Sequence, residues 1–469
     1  MNLVEDLNKR FTSLEQDRSS WVSHWQEIAE YFIPVKDDFT PHTPGAKRTN
    51  NIYETAPIRA LRILSAGLHG QMTPPGAPWF RLTTGDPDLM DFRPAKVWLQ
   101  EVELRLAKAI ARSNFNMEVD IFYRDWCGFG TADLYLEEGA EKALRFQALF
   151  LGEIFISESS DGTVDTVFRK FKLTARQVFK LWKETCSEEI KRAVKDNPEQ
   201  KFELFHAVFP REDIEHGKID NMNMPFASIY WEKGEKEPLE ESGYLELPHN
   251  VARWSKSPTE IYGRGQAMEA LPATKNANSM KKTVLEAGEK AVKPPLQMPK
   301  DAYDSEVSLN PAALNYYNSD LGRSGGLITP IPLGDPRIGV DQLKLEIESV
   351  EQTFFVDLFL MLANNPQMTA TEVLHRAEER LILLGPMIGR LMDEMLDPLI
   401  DRSFSICLRR PGFFPPVPAE LYGQEIRAEY ISRLAQAFQI AGLSAVGSTI
   451  EILGAVNEIA PDAADNFEF

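Results

Sequence analysis

The residues best placed by type and spacing to do chemistry are Gly322-Arg323-Ser324-Gly325-Gly326. They satisfy G-x-S-x-G, the nucleophile elbow of α/β-hydrolases, in which a tight strand-to-helix turn exposes a serine hydroxyl to a histidine base. The surroundings do not supply the rest. Leu327-Ile328-Thr329-Pro330 follows where a helix is required, and the one downstream histidine, His375, sits inside a long amphipathic pattern. A glycine-rich turn joining two extended pieces accounts for the same residues. Gly263-Arg264-Gly265 begins a dinucleotide fingerprint, but Met268 stands where its third glycine belongs. Gly45-Ala46-Lys47-Arg48-Thr49 is no phosphate-binding loop, and no H-E-x-x-H occurs. His375 and Glu378 read as a surface pair on one helix turn. Cys127, Cys186 and Cys407 are too few and too far apart for a disulfide framework or a paired zinc site, so they read as small buried side chains. The expectation is a chain without cofactor, metal site or catalytic activity.

The elements around these residues are mostly helical. Leu7, Phe11, Leu14, Trp21, Trp25, Ile28 and Phe32 form a seam that predicts a long first helix, ended by Pro34. Its tryptophans read as packing residues. Residues 34–51 read as a loop, Ala56 to Gly70 as a second helix, Thr73 to Pro78 as irregular, and Pro94 to Arg112 as a third helix. Between 130 and 260, runs such as Ile154-Phe155-Ile156 and Thr163 to Phe168 predict strands of an antiparallel meander, interrupted by one helix near Thr174 to Lys183. The fold class is therefore mainly α with an α+β region.

Past Tyr262 the pattern is helical again. Ala273, Ala277, Met280, Val284, Gly288 and Ala291 form a stripe of small or apolar residues on a helix from Gln266 to Ala291. Lys275, Lys282 and Lys293 fall on the other side at 100° per residue. They form either an ion-paired solvated face or a charged stripe facing a neighbour or a channel, and periodicity leaves both open. Pro294-Pro295 ends this helix. A continuous apolar seam predicts one helix from Ile338 to Leu362, broken at Ala363-Asn364-Asn365-Pro366-Gln367. Thr369-Ala370-Thr371-Glu372 is a capping box for a long helix from Ala370 to Arg409, with kinks expected at Gly385-Pro386 and Asp397-Pro398. Pro411 to Pro418 reads as a linker, and Leu421 to Val456 as a last helical stretch.

Composition sets the outer limits. The 469 residues suit about three domains or lobes. With 43% hydrophobic and 26% charged residues the chain has the make-up of a folded protein. Its 51 Lys+Arg against 70 Asp+Glu give −19, which argues against a surface that grips nucleic acid or anionic lipid everywhere, but not against a local basic stripe. The N-terminus shows no signal-peptide pattern, and the most apolar run, Phe354 to Ala363, is too short to span a bilayer, so an intracellular chain with no membrane partner is expected.

Several strings are long, specific and collinear. They include Ile52-Tyr53-Glu54-Thr55-Ala56, Leu64-Ser65-Ala66-Gly67-Leu68, Met72-Thr73-Pro74-Pro75, Pro78-Trp79-Phe80-Arg81-Leu82, and Ser113-Asn114-Phe115-Asn116. Gly162-Thr163-Val164-Asp165-Thr166-Val167, His206 to Arg211, Tyr262-Gly263-Arg264-Gly265, Lys290 to Leu296, Met368 to Val373 and Leu396 to Arg402 follow in order. Over residues 10 to 410 the chain resembles the head-to-tail connectors, or portal proteins, of short-tailed bacteriophages. It departs in Lys293, where relatives carry an aspartate before the two prolines, and in a short tail after 410.

The resemblance implies a portal fold of wing, stem, clip and crown, assembling as a homo-oligomer of twelve subunits around a channel for double-stranded DNA. It places the wing at 1–262, a first stem helix at 263–291, the clip at 292–337 and a second stem helix at 338–362. It then places a tunnel loop at 363–368, with Asn364, Asn365, Pro366 and Gln367 facing DNA, a long kinked wing helix at 369–410 and a short crown at 411–469. Gly322 to Gly326 becomes a clip turn. Lys275, Lys282 and Lys293 become weak attraction points on a channel wall, or bridges to neighbouring stems. Twelve copies at −19 would carry roughly −230, a wall along which DNA slides without tight binding. The implied partners are the terminase, which would supply ATP hydrolysis, a tail adaptor, and the major capsid and scaffolding proteins. The implied location is the portal vertex of the virion, assembled in the host cytoplasm. The competing reading is another virion structural protein, such as a tail adaptor.

Overall fold

A computed structural model describes residues 3–36, 39, 45–139, 141–212, 218, 220–292, 296–297, 329–330, 336–364, 383–432 and 434–437. The first helix, α1 (Leu3–Phe32), buries Leu7, Phe11, Trp25, Ile28 and Phe32 along the expected seam. Arg18, buried in mid-helix, donates to the carbonyls of Leu151, Gly152 and Ile154, so this cation is neutralised by backbone dipoles. Helix α2 (Ala56–Met72) starts where the Glu54 carboxylate accepts from the Thr55 and Ala56 N–H groups. Strand β1 (Phe80–Thr84), the short α3 (Pro87–Asp91) and α4 (Arg93–Arg112) follow.

Helix α5 (Phe115–Phe129) is an element that the periodicity did not predict. It is buried nearly all round, through Phe115, Val119, Phe122, Tyr123, Trp126 and Phe129, so it has no polar face to mark its period. Gly130 in the left-handed region ends it and leads into β2 (Thr131–Glu138).

Two antiparallel sheets make the α+β region. β2 pairs with β3 (Leu144–Leu149) and with β9 (His249–Arg253). The second sheet is the expected meander: β4 (Ile154–Glu158), β5 (Val164–Thr174), β6 (Lys201–Pro210), β7 (Phe226–Glu232) and β8 (Pro238–Tyr244) pair in sequence order. Alternation along β6 covers both faces. Phe205 and Ala207 meet Leu7 and Phe11 of α1, whereas Phe202 and Leu204 meet the helices inserted between β5 and β6. Those are two helices where one was expected. α6 (Ala175–Leu181) opens on a capping box from Thr174 and Gln177, and α7 (Glu188–Asp196) is capped by Ser187.

Helix α8 (Gln266–Val292) leaves the core after Ala277, the last buried residue on it. Two short strands, β10 (Leu296–Gln297) and β11 (Thr329–Pro330), pair beyond it. The single helix expected over 338–362 is two. α9 (Pro336–Thr353) and α10 (Val356–Asn364) are separated at Phe354-Phe355, where Phe355 has φ +52°. The break lets Phe354 pack at 5.6 Å from the Phe32 ring while Phe359 fits over Gly67, where any Cβ would strike its ring. Tertiary packing thus overrides an unbroken apolar seam.

Helix α11 spans 383–391 without interruption at Gly385-Pro386, and α12 is Asp397–Arg409. Between them Met392–Leu396 is a π-helical turn in which the Asp397 N–H reaches back five residues to the Met392 carbonyl. Pro398 cannot donate, and the extra residue absorbs the register change, which is the form the irregularity takes at Asp397-Pro398. The helix expected from Leu421 is corrected. β12 (Ile426–Tyr430) is a strand pairing with β1 across Phe80↔Tyr430, and beyond a single 3-10 turn ending at Leu421 only 434–437 are helical in the described part of that stretch. Alternating Ile426, Ala428 and Tyr430 carry the strand's inward face, with Tyr430 stacked at 6.3 Å on Trp79.

Candidate functional site

The candidate surface is built from α8 and α9, which pack side by side over most of their length. A glycine permits close approach: a Cβ on Gly339 would stand 3.0 Å from Val284 Cγ2. The base of α8 is fixed by backbone-on-backbone packing. Cβ atoms on Gly263, Gly265 or Gly130 would fall 2.2 to 2.5 Å from backbone atoms of the facing segment. Thr131 Oγ1 accepts from the Gly263 N–H at 2.8 Å. The Gly263-Arg264-Gly265 string is therefore a joint between α8 and the α5–β2 corner.

Higher on α8, Asn278 latches the N-terminal loop. Its Oδ1 accepts from the Tyr53 N–H at 2.7 Å and the Glu54 N–H at 3.2 Å, and its Nδ2 donates to the Asn51 carbonyl at 2.9 Å. Lys275 pairs with Glu27 of α1 at 2.8 Å. Lys281 lies 3.8 Å from Glu54, and Arg59 of α2 pairs with Glu351 of α9 at 2.8 Å. Of the stripe read from the sequence, Lys275 is thus engaged inside the chain. Lys282 is exposed, 5.7 Å from the Tyr53 ring centroid, and Lys293 lies outside the described residues. The small-residue stripe also divides. Ala277 is buried, Ala273, Met280 and Val284 are half-buried, and Gly288 and Ala291 are exposed.

The outer turns carry apolar side chains into solvent. Leu285 (49% exposed) and Val292 (81%) project from α8, and Ile338 (64%), Val340 (37%) and Leu345 (65%) from α9. Leu285 with Val292 and Ile338 with Leu345 are each seven residues apart, a spacing that sequence reading could have isolated but that the stronger core seam masked. These apolar side chains stand in solvent on both helices, where another protein can cover them.

Two buried arginines tie together the body from which the pair leaves. Buried Arg253 on β9 binds Glu394 of the π turn through its Nη2 at 2.6 Å, and also binds Glu158 and, at 3.0 Å, the Gly162 carbonyl. Burial opposes its charge, but Glu394 and Glu158 more than offset this, so its pKa lies above the ordinary value. Arg402 on α12 donates to the Leu136 carbonyl at 3.0 Å and to Glu246. Neither network was foreseen; nothing in local spacing marks a pair that is 141 residues apart in the chain.

Asn364 is the last residue of α10, whereas Asn365, Pro366 and Gln367, the capping box at Thr369 to Glu372, His375, and Gly322 to Gly326 lie outside the described residues. Cys127, Cys186 and Cys407 are free and buried. Among the described residues no cluster of His, Cys, Asp and Glu fits a metal ion, and no helix is long and apolar enough to cross a membrane.

Comparison with known proteins gives one answer along the whole chain. The profile of the family described as "Bacteriophage head to tail connecting protein" matches residues 4–469. The chain is 35% identical to a probable portal protein of Bordetella phage BPP-1 over 474 aligned positions, covering 98% of this chain and 84% of that protein. It is 32% identical to the portal protein of Salmonella phage epsilon15, covering 99% of this chain and 85% of that one. With its two antiparallel sheets, its projecting helix pair and this match over residues 4–469, the chain belongs to the bacteriophage head-to-tail connecting protein family.

Proposed function

We propose that the chain is the subunit of a closed ring of twelve copies at one capsid vertex. Double-stranded DNA enters and leaves through the channel, and the ring is the platform for terminase and tail. The observation that carries this reading is the uncovered apolar set on α8 and α9. A heterologous contact repeated with rotation closes into a ring, and it leaves each subunit with two faces to cover, one per neighbour. In this reading α8 and α9 with α10 are the stem, residues 292–337 the clip, and 363–368 the tunnel loop. The long helix ending at Arg409 belongs to the wing, and the segment after Pro411 leads to the crown. Lys282 and Lys293 are offered to the channel or to a neighbouring stem, while Lys275 is held by Glu27. The chain is structural, and nucleotide hydrolysis belongs to the docked terminase. Light scattering on the purified chain near physiological salt tests the ring. Twelve copies of 53.1 kDa give about 640 kDa. A species that stays monomeric at high concentration, with scaffolding and capsid proteins present, overturns it.

A further inference from the structure

A second charged surface lies away from the stem. The C-terminal half of α4, the β2–β3 turn and the segment after α12 enclose a groove of ≈ 730 Å³ lined by Arg105, Lys108, Arg112, Lys142 and Arg410, with Glu141 the one acid in its lining. Arg105 is balanced by Glu101, and Arg410 by Glu138 at 2.9 Å. The side chains of Lys108, Arg112 and Lys142 make no ion pair or hydrogen bond among the described residues and are exposed. A chain of net charge −19 therefore gathers three unneutralised cations into one groove. On α4, Arg105, Lys108 and Arg112 follow at i, i+3 and i+7, so they run down one face over about 10 Å.

We propose that this groove binds the phosphate backbone of duplex DNA outside the channel. The lining separates this from capture of an acidic polypeptide. Protein partners are fixed by large apolar anchors in pockets, and here the apolar lining is only Ala109, Ala143 and the half-buried Phe413. Cations without an anchor suit a polyanion of uniform spacing, which is bound by charge and tracked without sequence preference. The strongly acidic remainder of the chain repels the same polyanion, so binding concentrates at the groove. The proposal rests on the portal reading for the presence of duplex DNA; the charge arrangement is independent of it.

The test uses the full-length assembled protein and covalently closed circular duplex DNA, which cannot thread a closed ring. Wild type is expected to bind the circles with an affinity that falls steeply with salt. The triple variant K108E/R112E/K142E is expected to lose at least tenfold in affinity at low salt. Its log-affinity against log-salt slope should flatten by about 2 to 3, near 0.9 per phosphate contact removed. K236E, an exposed charge reversal between β7 and β8, should leave binding unchanged. Particle mass and melting temperature establish that each variant is folded; if the triple reversal does not assemble, the alanine triple is measured instead. The proposal is overturned if wild type does not bind circles, or if the triple variant binds them equally well. It is also overturned if polyglutamate binds more tightly than DNA, which assigns the groove to an acidic polypeptide. Ring formation is read separately from particle mass, so failure here leaves the portal reading standing.

Discussion

Gly263 and Gly265 resemble the start of a nucleotide loop because both uses need glycine for the same reason, close approach to a backbone. A Cβ on Gly265 would stand 2.5 Å from the Gly128 carbonyl oxygen and 2.6 Å from the Gly130 nitrogen, neither of which can yield as a flexible side chain would. Gly265→Ala is expected to cost about 3 kcal/mol or more in urea unfolding. Gly288→Ala, with nothing within 4 Å, is expected to gain about 0.5–1 kcal/mol from helix propensity. Asp401 on α12 is set by its surroundings too: burial first, then Asp397 and Glu425, push its pKa from 3.8 up to about 6. A carboxyl raised by the fold is neutral in both states below about pH 4 and ionised in both above pH 6, at a cost to the folded state. The stability contribution therefore falls as pH rises through that window. Asp401→Asn should match wild type at pH 4 and melt higher at pH 7. Because Asp401 is exposed on the helix surface, the difference is no more than about 1 kcal/mol after allowing for solvent screening.

At the scale of elements, α8 and α9 connect packing to function. Leu285→Asp with Leu345→Asp should leave the melting temperature of an isolated chain nearly unchanged, since both side chains are already in solvent, and should reduce particle mass to small species. Retention of full rings by this variant would place the subunit contact elsewhere. Deleting residues 364–367 is expected to preserve ring mass but to impair packaging or retention of DNA, as scored by full-length genomes in particles. Normal packaging would remove the loop from the mechanism. The sequence was informative where a helix has one polar face. α1 follows its seam, α2, α4 and α8 form over close to the ranges expected of them, and the meander follows its alternation. It was uninformative for α5, whose whole circumference is buried, and for the Phe354-Phe355 break, which answers to Gly67 and Phe32 far away in the chain. β12 was read as helix because its partner β1 lies about 350 residues earlier, and local spacing carries no trace of that pairing. Of the candidate site, α8 was legible from its small-residue stripe and the prolines after it, and α9 from an apolar seam that was read as running on through α10. The engagement of Lys275 by Glu27 and the latch at Asn278 were not, because both partners lie on other elements.

For the whole molecule, one body of buried aromatic residues holds α1, α2, α5, the three-stranded sheet and α12, and the helix pair projects from it. Arg253 and Arg402 fasten the long helix to the sheet with charges that are expensive to bury and costly to unpair, so that helix and sheet respond as one unit. The most direct measurement is averaged electron-microscope images of the purified full-length chain, at physiological salt and with scaffolding protein added. The account predicts a closed ring of about twelve copies with a central hole wide enough for duplex DNA and the α8–α9 pair around the hole. Open chains, dimers, or a ring with the α8–α9 pair on its outer rim would contradict it.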